Sequence, residues 1–411
     1  MTSTLRRPRR PRSLAAVFAL YLALLAACAP AQSAARAPAP AAPDPALVAR
    51  LQAKLDSLHA AGRFPGATVG IALPDGTTFG LAVGQSDTAR DLPMRVEDRM
   101  LSGSVGKTYF AAVALQLVSE GKLRLGDPIA KYLGGEPWFD RLPNARDVTV
   151  RMLMNHTSGL VRYELNERFL RDLTADPDRS WTPEDRLAYL FDARAPFAAG
   201  QGWDYSDTNY IVLGAIIERI TGAPLYAEAE RRVLRPLGLA STVPSDSRRI
   251  IGLAQGYAGP DNPFGGTDAM IGADGRFAVN PQFEWAGGGF ASTAGDLARW
   301  AKALYEGRAF PRAMLDSALV AVPAPMLGRE ASYGLGVIIR PSPLGPTWGH
   351  SGYMPGYLTE VRYWPEHRVA VAFQANTSAN GALGRAPGAI VADLARIVID
   401  HLPPSTRATA P

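Results

Sequence analysis

Three groups of residues in this chain of 411 residues have the types and spacing to do chemistry. The first is Ser104-Val105-Gly106-Lys107, which opens a nearly uninterrupted apolar stretch, Thr108 to Val118, that reads as a buried helix. Residues three apart share a helix face, so Lys107 is expected beside the Ser104 hydroxyl, where the helix N-terminus favours a developing alkoxide. A buried lysine with a depressed pKa can then take the serine proton. The spacing alone is a weak signal, because Ser119-Glu120-Gly121-Lys122 repeats it. There, however, Gly121 ends the same helix in a polar turn, and the pair reads as a solvated C-terminus.

The second group is Tyr205-Ser206-Asp207, preceded by Trp203 and followed by Thr208-Asn209-Tyr210 and an apolar helix, Ile211 to Ile220. A tyrosine in a loop ahead of a buried helix can act as general base or acid if cations stabilise its phenolate. The alternative is a core tyrosine next to an Asp207 helix cap. The third group is Trp348-Gly349-His350-Ser351-Gly352-Tyr353, followed by Met354-Pro355-Gly356. Gly352 would let substrate approach a strand edge, and the Tyr353 N–H can pair with that of Ser104 as an oxyanion hole. His350 is expected to meet an anionic substrate group or to donate a hydrogen bond. His156, in Asn155-His156-Thr157-Ser158-Gly159-Leu160, reads as the fixing point of a loop.

The elements that must position these groups follow from periodicity. Leu47 to Leu58 has helical spacing, and Ala67 to Leu73 and Thr77 to Val83 flank Pro74-Asp75-Gly76 as a hairpin. Thr359 to Tyr363 and Val369 to Phe373 form a second hairpin, and Ala389 to Leu402 closes with helical periodicity. Between these ends the apolar segments favour helices. The pattern predicts an α+β domain over residues 46–402, with an α/β part at about 46–102 and 285–402 and a mostly helical insertion at about 103–284. Residues 403–411 are a tail.

The formal charge of +5 comes from Arg6, Arg7, Arg9, Arg10 and Arg12, and the remainder is neutral. A neutral body carries no electrostatic footprint for nucleic acid, and the basic arm fits the start of an export signal spanning residues 1–27. The apolar run Leu14 to Ala27 is shorter than the roughly 20 residues a spanning helix needs. It ends in Leu25-Ala26-Ala27-Cys28, which resembles the lipobox of bacterial lipoproteins. Cys28 is the sole cysteine, so the expectation is a lipidated Cys28 and an Ala/Pro tether over 28–45, holding the protein at a membrane facing the periplasm or cell exterior. The alternative is an ordinary signal peptide with Cys28 incidental. There is no His-Glu-x-x-His, no His or Cys cluster and no Gly-x-Ser-x-Gly elbow, so neither a metal, another cofactor nor an α/β-hydrolase triad is expected.

Taken in order, Ser104-x-x-Lys107, Tyr205-x-Asp207 and His350-x-Gly352 resemble the three active-site motifs of serine β-lactamases and penicillin-recognising peptidases. The tyrosine and histidine point to the class C β-lactamase and DD-peptidase branch, which includes esterases and D-amino-acid peptidases. Leu153 to Leu160, Gly287-Gly288-Gly289 with Ser292-Thr293, and Tyr333-Gly334-Leu335-Gly336 resemble further family segments. The resemblance covers nearly all of 46–402 and implies the β-lactamase/transpeptidase fold, an antiparallel sheet flanked by helices. It also implies that Ser104 forms the acyl-enzyme, that Lys107 and Tyr205 shuttle the proton, and that the Ser104 and Tyr353 amides bind the oxyanion. Asp207, His350 and Gly352 would contact the substrate.

Two positions depart from the family pattern. Asp207 stands where Asn is frequent; a carboxylate cannot donate to a substrate carbonyl, but it can hold Lys107 as an ion pair. His350 stands where β-lactamases usually carry Lys. Both favour a peptidase or esterase acting on a small molecule or peptide over a β-lactamase. A different class of function, a surface lipoprotein that binds peptidoglycan or another ligand without turnover, is compatible with the same motifs.

Overall fold

The first predicted turn forms at Asp75-Gly76, where Gly76 adopts φ 94° and the Asp75 carboxylate accepts from the Thr77 N–H at 2.9 Å. In this computed structural model the description covers residues 1–2, 42–260, 262–264 and 268–403. Cys28, all but the first two residues of the expected export signal, and most of the expected tether lie outside it, as does the tail from 404 onward. The described residues from 42 to 403 belong to one compact unit.

In chain order the strands are β1 (Gly66–Ala72), β2 (Thr78–Asp87), β3 (Leu92–Pro93), β4 (Met100–Leu101), β5 (Val243–Pro244), β6 (Phe290–Ser292), β7 (Val322–Pro323), β8 (Ser332–Tyr333), β9 (Ile338–Arg340), β10 (Thr347–Met354), β11 (Tyr357–Trp364) and β12 (Val369–Ala375). Among the described residues nine of them form one antiparallel sheet in the order β3-β2-β1-β12-β11-β10-β9-β8-β7. The central strands β1 and β12 are buried at every residue, which is why they read as continuous apolar runs without alternation.

Helices cover both faces. On one face lie α1 (Pro45–Ala61) and α5 (Pro387–His401), the terminal segments predicted from periodicity. Leu47, Leu51, Leu55 and Leu58 of α1 meet Ile390, Val391, Leu394 and Val398 of α5 over Val69, Ile71 and Val371 of the sheet. On the other face lies α4 (Ala294–Tyr305), whose start is seated directly on β1: a Cβ at Gly70 would lie 1.9 Å from the Ala294 carbonyl oxygen.

The helical part is built around α2 (Lys107–Ser119) and α3 (Thr208–Thr221). Nearly every residue of α2 from Lys107 to Leu117 is buried, as its composition requires. It is tied to α4 by the Trp300 indole N–H, which donates to Thr108 Oγ1 at 2.7 Å, and by Tyr109 stacked on Trp300 at 4.5 Å. Helix α2 ends at Ser119, and Gly121 takes φ 71°; Lys122 there is half-exposed and pairs with Glu120, so the second Ser-x-x-Lys spacing is a solvated helix end.

Candidate active site

Ser104 lies in a tight 3-10 turn, Gly103–Gly106, that leads straight into α2 and keeps Ser104 and Lys107 on one face. Lys107 Nζ donates to Ser104 Oγ at 2.9 Å and to the Gly287 carbonyl, and lies 2.5 Å from Asp207 Oδ1. The Lys107 side chain is 0% exposed and sits 4.9 Å above the Tyr205 ring.

Protonation follows from these distances. Burial alone would push Lys107 toward the neutral amine, but the charge on Asp207, with Tyr205 beside it, outweighs burial and holds the lysine above its ordinary value. The expectation of a lysine depressed by burial is therefore corrected: Lys107 rests as an ammonium within an ion pair. Asp207 occupies the N-cap position of α3, yet its side chain makes no capping bond and is turned to Lys107 instead. Burial pushes the Tyr205 phenol up to about 12 even with Lys107 opposing the shift. Tyr205 is thus a neutral proton donor at rest, its hydroxyl facing Lys107 and Ser104 without a well-aligned hydrogen bond.

The Tyr205 loop is pinned from behind by His156, a fully buried residue at φ 63°. Its Nδ1 accepts from the Ser206 N–H at 3.3 Å and lies 3.0 Å from the Asn209 amide, and its ring packs 4.3 Å from that of Tyr205. Burial and the Lys107 charge hold His156 far below the usual imidazole value, so it is a neutral wedge.

Backbone packing brings together the segments that carry Ser104 and Tyr353, the two expected oxyanion donors. The small sheet β4-β6-β5 holds Met100–Leu101 beside Phe290–Ser292, and Ser102 N–H donates to the Phe290 carbonyl at 2.9 Å. Strand β9 pairs with β10 only at Thr347, Trp348 and Gly349, leaving the rest of that edge without a strand partner. Met354 and Tyr357 close a two-residue turn, so the alternation of an antiparallel ladder makes Tyr353 and Leu358 a pair whose N–H groups point outward. Ser102 and Gly103 lie against that edge: a Cβ on Gly103 would fall 2.7 Å from the Tyr353 nitrogen. Ser104, next in the chain to Gly103, and Tyr353 thereby line the same cavity.

Two expected substrate contacts take other roles. A Cβ on Gly352 would lie 1.9 Å from the Ser102 carbonyl oxygen, so the glycine admits the protein's own backbone, not a substrate. His350 is 2% exposed and lies outside the cavity lining. Its Nδ1–H donates to the Ser351 carbonyl at 2.7 Å, and its Nε2 accepts from the Tyr333 hydroxyl at 2.8 Å. Burial and the Lys107 charge bring it down to about 3, so it presents no cation to an anionic substrate.

A cavity of about 190 Å³ opens from Ser104, and sequence reasoning missed most of its walls. Leu165, Leu170, Phe264, Phe283 and Met354 line an apolar side, and Arg162, Glu164, Asp207 and Glu284 a polar one. Glu164 accepts from Arg162 Nε at 2.7 Å and is pushed up to about 7 by burial and the Asp207 charge. Burial and Asp207 push Glu284 up to about 8, with Lys107 opposing.

The Beta-lactamase family model matches residues 51–396. The chain belongs to the β-lactamase family. Within that family it is similar to esterase EstB of Burkholderia gladioli, at 31% identity over 77% of this chain and 80% of the relative. Two solved structures are also similar. The D-stereospecific amidohydrolase from Streptomyces sp. has TM-score 0.69 and 27% identity over 82% of this chain and 95% of the other. The D-amino acid amidase from Ochrobactrum anthropi SV3, complexed with D-phenylalanine, has TM-score 0.71 and 25% identity over 86% and 99%. The antiparallel sheet with flanking helices is the β-lactamase/transpeptidase fold, and the chain is a β-lactamase-family serine hydrolase.

Proposed function

We propose that Ser104 forms an acyl-enzyme with small amides or esters, in particular D-aminoacyl derivatives with an apolar side chain, and that water then releases the acid. The observation that carries this reading is Ser104 beside the buried Lys107–Asp207 pair at the mouth of the cavity. Lys107 passes a proton across 2.5 Å to Asp207, and the amine so formed takes the Ser104 proton as Oγ attacks the carbonyl. The negative oxygen is received by the Ser104 and Tyr353 N–H groups. Tyr205 donates the proton that the departing amine or alkoxide needs and recovers one through Lys107, which takes its own back from Asp207.

The cavity lining supports a neutral substrate. Among the described residues at the cavity, Arg162 is already paired with Glu164 and Lys107 with Asp207, and His350 supplies no charge. This setting disfavours a β-lactam carboxylate, and the named activities of the esterase and amidase relatives support the same choice. We further propose export and a lipid anchor at Cys28, on the strength of the basic arm and apolar run before it.

The test is turnover by the soluble 42–411 chain of D-phenylalanine amide, a p-nitrophenyl ester and a chromogenic cephalosporin. Hydrolysis of the first two beyond the third supports the assignment, and a preference for the cephalosporin overturns it.

A further inference from the structure

The buried carboxyl of Glu284 has no place in the acylation steps. It lies in the short turn ahead of Gly287-Gly288-Gly289, is 4% exposed, and forms no ion pair among the described residues. Its Oε2 accepts from the Gly289 N–H at 3.1 Å; no hydrogen bond to Oε1 occurs among the described residues, and the side chain lines the same 190 Å³ cavity as Ser104. The backbone is shaped to admit it: a Cβ on Gly288 would fall 2.0 Å from Oε1, and the Gly288 carbonyl in turn fills the side-chain space of Gly106, next to Lys107. A carboxyl buried without a cation is costly, and an apolar residue of similar volume would fill this place at less cost.

We propose that Glu284 is a catalytic residue for deacylation, the base that aims and deprotonates the water that attacks the acyl-Ser104 carbonyl. The step rests on the acyl-enzyme reading above. Water gives one proton to the Glu284 carboxylate while its oxygen bonds to the acyl carbon. The tetrahedral centre then expels Ser104 Oγ, which takes a proton from Lys107; the acid leaves, and the proton on Glu284 passes through water to Lys107, restoring the resting ion pair. Burial and the Asp207 charge raise this carboxyl to about 8, so close to neutrality a minor fraction is the carboxylate that takes the proton, and that fraction grows as pH rises toward 8.

The test is stopped-flow hydrolysis of p-nitrophenyl acetate by the parent, Glu284→Gln and Glu284→Asp, with intact-mass spectrometry of quenched samples. Glu284→Gln is expected to release about one equivalent of p-nitrophenolate at the parental rate, accumulate acetyl-Ser104, and turn over on the order of 100-fold more slowly. Hydroxylamine, which attacks the ester without a base, should restore its turnover, a response that a purely structural role of Glu284 does not predict. Glu284→Asp, which keeps a carboxyl, should recover part of the steady state and serves as the reporter if the glutamine variant does not fold. Steady-state turnover within about threefold of the parent, or a burst slowed as much as turnover, overturns the proposal. Failure of the parent itself to acylate counts against the acyl-enzyme reading, a separate result.

Discussion

Lys107 Nζ stands 2.5 Å from Asp207 Oδ1, with the lysine wholly buried and the aspartate nearly so. This pair, in place of the lysine and asparagine frequent in the family pattern, sets the protonation state of the site. It makes the nucleophile's neighbour an ammonium whose proton already has an acceptor within reach.

Asp207→Asn should therefore change the pH at which Ser104 becomes reactive. With the carboxylate gone, burial dominates and Lys107 falls toward the neutral amine. The acid limb of the acylation rate is expected to move down by about 1 to 3 pH units, read from fluorophosphonate labelling rates between pH 4 and 10. An unmoved limb would take Asp207 out of the proton path.

The same pair separates stability from catalysis. Lys107→Ala strands a buried carboxylate and should cost about 3 to 5 kcal/mol in chemical denaturation, most of it recovered in the double variant with Asp207→Asn. Tyr205→Phe removes a hydroxyl that makes no well-aligned hydrogen bond, so it should leave stability near the parental value. Both Lys107→Ala and Tyr205→Phe should lower acylation by about 10²- to 10⁴-fold.

Glu284 ties stability to pH. Its value is raised from 4.5 to about 8 by burial, so the folded state holds its proton where the unfolded chain has lost it. The stability this group contributes is full below about pH 4.5 and is lost as pH rises toward 8. Relative to Glu284→Gln, the parent should lose stability across that window at up to about 1.4 kcal/mol per pH unit. Urea midpoints for the two proteins at several pH values measure it; parallel curves would contradict the shift.

Much of this site is legible in the sequence because its parts are local. Ser104 and Lys107 are one helical turn apart, Tyr205 precedes an apolar helix, and the hairpins and terminal helices follow simple periods. What the sequence conceals arises from contacts between distant segments. Nothing near Lys107 reveals a carboxylate 100 positions away that keeps it charged, and nothing near Glu164 or Glu284 reveals that α2, α3 and the β4–β6 pairing bring both to Ser104. His350 and Gly352 mislead for the same reason. Their partners, Tyr333 and Ser102, are protein groups that fill the positions a substrate was expected to take. The short strands β7 to β9 escape notice because Pro323, Gly334 and Gly336 interrupt any period.

Gly352→Ala tests the backbone origin of the oxyanion site. The added methyl meets the Ser102 carbonyl oxygen at 1.9 Å and must push β10 away from the segment bearing Ser104. Misalignment of one donor should lower kcat by about 10²- to 10³-fold, with the fold retained by circular dichroism. Parental kcat would show that the close approach is dispensable.

We assign Ser104 as the activated nucleophile, and intact-mass spectrometry after treatment with a fluorophosphonate tests the assignment. One adduct is expected on the parent, located at Ser104, and none on a folded Ser104→Ala variant. An unmodified parent, or an adduct that persists in Ser104→Ala, would contradict it.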